Sequence, residues 1–406
     1  MALHLDSQKI RAVGVIVRKF ATHLKPELKV SDELPVTHTD LKQLISSRKT
    51  RSDLDWVCGT NNDILFEDCG HVGVITLNRP SALNALNFSM VNKITSTLKH
   101  WETTKKLVIV EGAGDQAFCA GGDLKLIDYL HLPDGVDVQR QFFQAQYSLN
   151  YLVGTYKIPY IALINNLTMG GGVGISANGM YRVATEKTVL CMPETALGLC
   201  PDVGSTHFLS RLPSRLGHFF GLTGYRLKGV DVLHTGLATH YVPSERLMDL
   251  KEDLLRIEDS NVSKVLRSHQ VEPEREFSLK PYLEKIDYCF SAATMEEVVA
   301  RLEADGSNWA KKTLKTLAYM SPNSLKLTKM SLERGRTMSL AECLKMEYRL
   351  NISIIQEKHD IYEGIGSAVY VKNHLPSWRP KTLAEVTNES LLRRFESQDP
   401  KHQLDL

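Results

Sequence analysis

A run of three consecutive glycines soon after a short apolar stretch is the feature that most constrains the fold of this chain. Residues 160–164 (YIALI) have the apolar, β-rich composition of a buried strand, and residues 169–174 (MGGGVG) follow after a short link. Glycines between a strand and a helix leave backbone N–H groups bare, and the helix start adds partial positive charge. The segment therefore predicts either a site for a developing negative charge or a simple tight turn.

Two further segments have related features. Residues 118–124 (FCAGGDL) follow the apolar strand predicted at 108–110, and two glycine loops that converge can aim two N–H donors at one oxyanion. Residues 192–204 are rich in Pro and Gly and carry Glu194 and Asp202, eight positions apart. Carboxylates held close together push their pKa values apart, which suits acid–base or nucleophilic chemistry. The alternative is a helix-capping Glu and a turn Asp, both structural.

Strand and helix signals alternate over the first part of the chain, which predicts an α/β organisation. From residue 256 onward strand signals are nearly absent, so a helical C-terminal region is expected. Thr294 and Ser339 each precede an acidic residue at capping-box spacing. We predict strands at 64–66, 72–77, 108–110 and 160–164, and helices at 89–99, 139–153, 309–319, 323–334 and 339–356.

The N-terminus is basic. Residues 1–26 carry five Lys and Arg residues against one Asp, as in a mitochondrial transit peptide, and residues 18–21 resemble a protease site with cleavage after Phe20. The alternative is a disordered basic arm. Residues 21–61 are polar and predict a linker.

The composition excludes several classes of function. With 49 Lys and Arg against 47 Asp and Glu, the net charge of +2 argues against nucleic acid as the main partner. The 7 cysteines form no CxxC pair, so we expect neither a disulfide framework nor a bound metal, and a reducing compartment fits. No apolar run is long enough to predict a membrane span.

The segments together resemble the crotonase (enoyl-CoA hydratase/isomerase) superfamily. Residues 77–86 (LNRPSALNAL) and the two glycine loops resemble its CoA-proximal and oxyanion-hole motifs. Within it, the chain resembles the branch that hydrolyses 3-hydroxyisobutyryl-CoA in valine catabolism. That likeness rests on residues 192–196 (MPETA) and 201–204 (PDVG), and further on 222–229, 346–350 and 376–380. It covers about residues 62–387.

The resemblance implies an α/β fold, a crotonase-like spiral of ββα turns with a helical C-terminal region. It divides the chain into a transit peptide (1–20), a linker (21–61), a core domain (62–255), a helical region (256–387) and a loose polar tail (388–406). The substrate would be an acyl-CoA, with no cofactor because CoA belongs to the substrate. A homo-oligomer is possible, and the mitochondrial matrix is the expected location.

The resemblance also implies roles for single residues. The N–H groups of Gly122 and Gly171 would hold the thioester oxygen. Glu194 would attack the carbonyl or activate water, and Asp202 would assist. The resemblance does not choose between these two routes. Gln146 would line the substrate site.

Four positions distinguish the chain from other members of the superfamily. Gly174 stands where hydratases carry an acid, and Asp202 where they carry glycine, which favours hydrolysis over hydration. Gln146 replaces a Glu and Gly366 an Arg that the hydrolases usually carry. These two departures keep two alternatives open. One is a catalytically weak paralogue with a structural role, for example in the mitochondrial ribosome. The other is a hydrolase for another short 3-hydroxyacyl-CoA.

Overall fold

A computed structural model describes residues 62–125, 130, 133, 135–257, 261–272, 275–370, 375–396 and 403–406. The predicted transit peptide and linker therefore lie outside the described residues. The strands are β1 (Ile64–Cys69), β2 (Val72–Leu77), β3 (Leu107–Gly112), β4 (Ala117–Cys119), β5 (Tyr160–Ile164), β6 (Leu167–Met169), β7 (Tyr181–Ala184), β8 (Val189–Cys191), β9 (Leu227–Lys228) and β10 (His240–Tyr241).

The strands form two sheets that the chain visits in turn. The larger sheet has the order β1-β2-β3-β5-β7-β10, and the smaller has the order β4-β6-β8-β9. Consecutive pairs, β3 with β4, β5 with β6 and β7 with β8, each add one strand to each sheet. The strands β3, β5 and β7 pair in parallel, as do β4, β6 and β8, whereas the outer pairs β1–β2 and β8–β9 are antiparallel. This spiral confirms the predicted α/β fold class.

Helices follow the strand pairs and predominate in the described residues from 247 onward. They are α1 (Phe88–Thr104), α2 (Gly135–Gly154), α3 (Gly171–Ala177), α4 (Ser205–Phe208), α5 (Leu216–Thr223), α6 (Asp231–His234), α7 (Leu247–Leu255), α8 (Val262–His269), α9 (Leu283–Phe290), α10 (Met295–Asp305), α11 (Asn308–Tyr319), α12 (Pro322–Gly335), α13 (Leu340–Glu357), α14 (His359–Ile365) and α15 (Asn388–Phe395). A π-helical turn, Gly366–Tyr370, continues α14. Ser339 forms the predicted capping box at α13, and the helical C-terminal region is confirmed.

Both faces of the inner strands of the larger sheet are buried, whereas the edge strand β1 is mostly exposed. Side chains of one parity, such as Ile75 and Val110, join the main core, whereas those of the other parity, such as Val74 and Ile109, pack with α7 and α8. Burial on both faces explains why these strands are continuously apolar rather than alternating.

The prediction of a loose tail is wrong for residues 388–395. Thr387 caps α15, and the helix buries Leu391 and Phe395 against the main core. Arg394 reaches Ser353 on α13 with a hydrogen bond of 3.3 Å. The segment is mostly polar, but its two buried apolar residues lie four apart and therefore share one helix face.

Candidate active site

The three segments singled out from the sequence line one cavity of about 160 Å³. Its wall includes Gly121 and Gly122, Gly170 and Gly171, Glu194, Asp202 and Gln146. Apolar side chains of the C-terminal region, Ile361, Ile365 and Val369, complete it. The structure thus brings all five predicted site residues to one place, next to a wall that the sequence did not predict.

The two glycine loops meet because β4 and β6 are neighbouring parallel strands, so the segments that follow them leave the same edge of the smaller sheet. A Cβ added at Gly171 would lie 3.2 Å from the backbone N of Gly122. Gly121 has φ +101° and Gly170 has φ +46°, conformations that favour glycine. Among the described residues, neither the N–H of Gly122 nor that of Gly171 has a hydrogen-bond acceptor. The two donors are available to a ligand in the cavity.

The segment 77–86 supports the first glycine loop. Leu86 donates its N–H to the carbonyl of Gly121 at 2.8 Å and accepts from Asp123 at 2.9 Å. Arg79 forms an ion pair with Asp123 at 3.0 Å and donates to the carbonyl of Ala85 at 2.6 Å. The Arg79 side chain therefore serves the loop, while neighbouring small residues of this segment face the cavity.

Glu194 begins a short 3₁₀ turn, Glu194–Leu197, after β8, and its side chain is buried. A Cβ added at Gly170 would lie 2.9 Å from its Oε1, so the carboxyl group lies against the second glycine loop. Its Oε2 is buried without a hydrogen-bond partner among the described residues. Burial, and then the charges of Asp202 and Glu347, raise the pKa of Glu194 well above its ordinary value. The carboxylate is thus desolvated and reactive when ionised.

Asp202 lies ahead of α4 and is anchored through one oxygen. Its Oδ2 accepts from the Tyr147 hydroxyl at 2.6 Å and from Nδ2 of Asn351 at 3.1 Å. Burial raises the pKa of Asp202 to about 6, although these two hydrogen bonds favour the charged form. Asp202 can therefore carry charge at neutral pH and accept a hydrogen bond from a ligand.

Gln146 projects from α2 over the second glycine loop. A Cβ added at Gly171 would lie 2.4 Å from Nε2 of Gln146. A Cβ added at Gly122 would lie 3.8 Å from Oε1 of Gln146. The side chain is 3% exposed and makes no hydrogen bond among the described residues. A polar amide buried in this way is suited to contact a polar group of a ligand.

Gly174, at the position where hydratases carry an acid, has no room for a side chain. A Cβ there would lie 2.5 Å from Cβ of Val203 and 2.8 Å from Nδ2 of Asn150. Gly172 is equally constrained, since a Cβ there would meet the carbonyl oxygen of Cys119 at 2.3 Å. In the part of the chain that the structure describes, no cluster of three potential metal ligands occurs.

Sequence reasoning missed three polar residues around Asp202. Tyr147 and Asn351 hydrogen-bond to it directly. Glu347 accepts from the N–H of Gly204 and of Thr206, both at 2.7 Å. Burial raises the pKa of Glu347 to about 8, against the hydrogen bonds that lower it. The available signal was two polar side chains four residues apart on a face of α13 that also carries Cys343, Leu344 and Ile354.

Comparisons with known proteins identify the family of the chain. Residues 72–395 match the family model described as enoyl-CoA hydratase/isomerase. Two similar curated proteins are both named "3-hydroxyisobutyryl-CoA hydrolase, mitochondrial". One, from Danio rerio, is 46% identical over 84% of this chain and 91% of that protein. The other, from Homo sapiens, is 45% identical over 82% and 89%.

Solved structures of acyl-CoA enzymes are similar to this chain over most of its length. A carnitinyl-CoA dehydratase from Mycobacterium thermoresistibile has a TM-score of 0.79 and 35% identity, covering 85% of this chain and 99% of its own. An enoyl-CoA hydratase from Rhodobacter sphaeroides 2.4.1 has a TM-score of 0.76 and 33% identity, covering 85% and 100%. No helix in the described part of the chain is long and apolar enough to cross a membrane.

Proposed function

The chain belongs to the enoyl-CoA hydratase/isomerase family, as its motifs predicted, and on this premise we propose that it hydrolyses the thioester of 3-hydroxyisobutyryl-CoA to 3-hydroxyisobutyrate and CoA. The observation that carries the proposal is that Glu194 lines the same cavity as the unpaired N–H groups of Gly122 and Gly171. An acyl transfer needs both a nucleophile or base and donors for the oxygen that becomes negative.

Gly122 and Gly171 supply the donors. When the thioester carbonyl carbon is attacked, its oxygen gains negative charge, and two preorganised N–H groups stabilise that charge without reorganising. Removing one donor from such a site typically costs ~10²–10³ in rate.

Glu194 is the principal carboxylate, and two routes use it. In one, a carboxylate oxygen attacks the carbonyl carbon and CoA leaves as the thiolate. Water then hydrolyses the mixed anhydride. In the other, Glu194 takes a proton from water as that water attacks. Asp202 orients the water or the substrate hydroxyl group through its unanchored oxygen.

The acyl group is short and carries a hydroxyl. The cavity of about 160 Å³ is lined beside Glu194 by apolar side chains, among them Phe142, Leu197 and Ile365, which suits a short branched acyl chain. The unpartnered amide of Gln146 would hydrogen-bond the acyl hydroxyl. Because Gln146 replaces the Glu that the hydrolases usually carry, a second candidate substrate is another short 3-hydroxyacyl-CoA.

The location that fits this function is the mitochondrial matrix. The relatives are named mitochondrial, and the basic residues 1–20 have the composition of a transit peptide. The reaction needs no cofactor, because CoA arrives as part of the substrate. A homo-oligomer is part of the same proposal and is tested by light scattering of the purified chain.

A panel of thioesters tests the proposal. Purified protein is incubated with 3-hydroxyisobutyryl-CoA, another short 3-hydroxyacyl-CoA, isobutyryl-CoA and crotonyl-CoA, and free thiol and hydration are followed. The proposal predicts the fastest thiol release from 3-hydroxyisobutyryl-CoA and no hydration of crotonyl-CoA. Release of thiol from none of them, together with co-sedimentation with mitochondrial ribosomes, would favour the structural alternative.

A further inference from the structure

The loop that carries Asp202, residues 200–206, holds a strained conformation. Val203, directly after Asp202, has φ +56° and is completely buried. A β-branched residue rarely adopts this region, because its Cβ crowds the backbone. Such strain persists only where the surroundings over-determine it, and it is typical of functional loops. Contacts around the Asp202 loop must therefore hold it in place.

One face of α13 holds both ends of the loop. At one end, Glu347 accepts from the N–H of Gly204 and from the N–H and hydroxyl of Thr206, at 2.7, 2.7 and 2.6 Å. At the other, Asn351 accepts from the N–H of Cys200 at 3.1 Å and donates to its carbonyl at 3.3 Å. Residues four apart on a helix share a face, so α13 presents both side chains together.

The same contacts orient the carboxylate. Asn351 and Tyr147 both donate to Oδ2 of Asp202. No other described residue donates a hydrogen bond to Oδ1, and Asp202 lines the cavity. One oxygen is thus fixed while the other faces the ligand.

We propose that Glu347 and Asn351 are positioning residues, which hold the strained Asp202 loop from both ends so that Oδ1 of Asp202 faces the substrate. The inference rests on the proposed function. It gives the helical C-terminal region a direct part in the chemistry of the core domain. The competing explanation is that the two side chains only satisfy buried backbone groups, in which case they affect stability and not turnover.

The test compares Glu347→Gln and Asn351→Leu with wild type and with Ser353→Ala. Ser353 is buried on the same helix but hydrogen-bonds to Leu350 and Arg394, away from the Asp202 loop. For each protein we measure kcat and KM with 3-hydroxyisobutyryl-CoA over a range of pH, the thermal unfolding midpoint, and a crystal structure.

Because small displacements of a reacting group can cost up to ~10²-fold, both loop variants should lose about 10- to 100-fold in kcat with little change in KM. Asn351→Leu should also move the acidic limb of the kcat/KM profile upward, since it removes a donor to ionised Asp202. Ser353→Ala should match wild type in both respects. In the crystal structures of the loop variants, the Asp202 carboxylate should be displaced.

Unchanged kcat and pH profile in folded loop variants would overturn the proposal, as would an unmoved Asp202 carboxylate. If wild type hydrolyses none of the thioesters, the proposed function fails, and the crystal structures still judge whether α13 positions Asp202.

Discussion

Replacing Gly174 by Ala would test why this site has no acid at that position. Gly174 is buried inside α3, and a Cβ there would lie 2.5 and 2.7 Å from Cβ and Cγ2 of Val203 and 2.8 Å from Nδ2 of Asn150. All three distances are shorter than van der Waals contact, and a packed β-branched side chain has little freedom to give way.

The change in the free energy of unfolding of Gly174→Ala follows from two opposing effects. Ala is favoured over Gly inside a helix by about 1 kcal/mol. Overpacking a buried site typically costs about 1–3 kcal/mol. Gly174→Ala should therefore lower the free energy of unfolding by up to about 2 kcal/mol. Because Val203 adjoins Asp202, the displaced loop should also lower kcat by about 10- to 100-fold.

Gly221→Ala is the matched control. Gly221 also lies inside a helix, α5, but a Cβ there would meet its nearest neighbours at 3.4–3.5 Å, which is ordinary contact. This variant should gain about 0.5–1 kcal/mol and keep its kcat. Denaturant unfolding and thiol release measure both quantities. If Gly174→Ala is stabilised like Gly221→Ala and turns over at the wild-type rate, the steric reasoning is refuted.

Three further predictions concern single side chains. Tyr147→Phe removes a hydrogen bond to ionised Asp202 worth about 1.5–3 kcal/mol, so the acidic limb of kcat/KM should rise by up to about 1–2 pH units; an unmoved limb would contradict this. Gln146→Leu should raise KM for 3-hydroxyisobutyryl-CoA about 10-fold and that for isobutyryl-CoA much less; equal effects on both would exclude a contact with the hydroxyl. Burial raises the pKa of Glu333, but hydrogen bonds from basic neighbours, the largest of them from His218, hold that pKa below its ordinary value of 4.5. The stability it contributes is present above that value and is lost as pH falls below it, so Glu333→Gln should flatten the acid unfolding profile measured by circular dichroism.

The parts of the fold that the sequence predicted are those with long or chemically distinctive signals. The strand predicted at 160–164 has those bounds in the structure, because five consecutive apolar residues are buried on both faces. Strands β4, β6 and β8 have three residues each, too few for a periodicity to emerge. The assignment of successive strands to two different sheets depends on the whole spiral and has no local signal in the sequence.

The same contrast holds for the site. The glycines of the two loops could be predicted because two backbones approach so closely there that a larger residue would not fit. The roles of Glu194 and Asp202 came from the resemblance to the family. Tyr147, Glu347 and Asn351 went unpredicted because each shares one buried face of a helix with apolar residues and so looks like part of a core. Asn351 meets Cys200 across 151 positions of sequence, a distance over which local patterns carry no information.

The most direct test of the central claim is a thiol-release assay of 3-hydroxyisobutyryl-CoA by wild type and by Glu194→Gln. The substitution keeps the volume of the side chain beside Gly170 but removes its charge and its ability to attack or to accept a proton. We predict that wild type releases CoA and that folded Glu194→Gln releases almost none. Undiminished release by Glu194→Gln, or none by wild type, would contradict the claim that this carboxylate drives hydrolysis of the thioester.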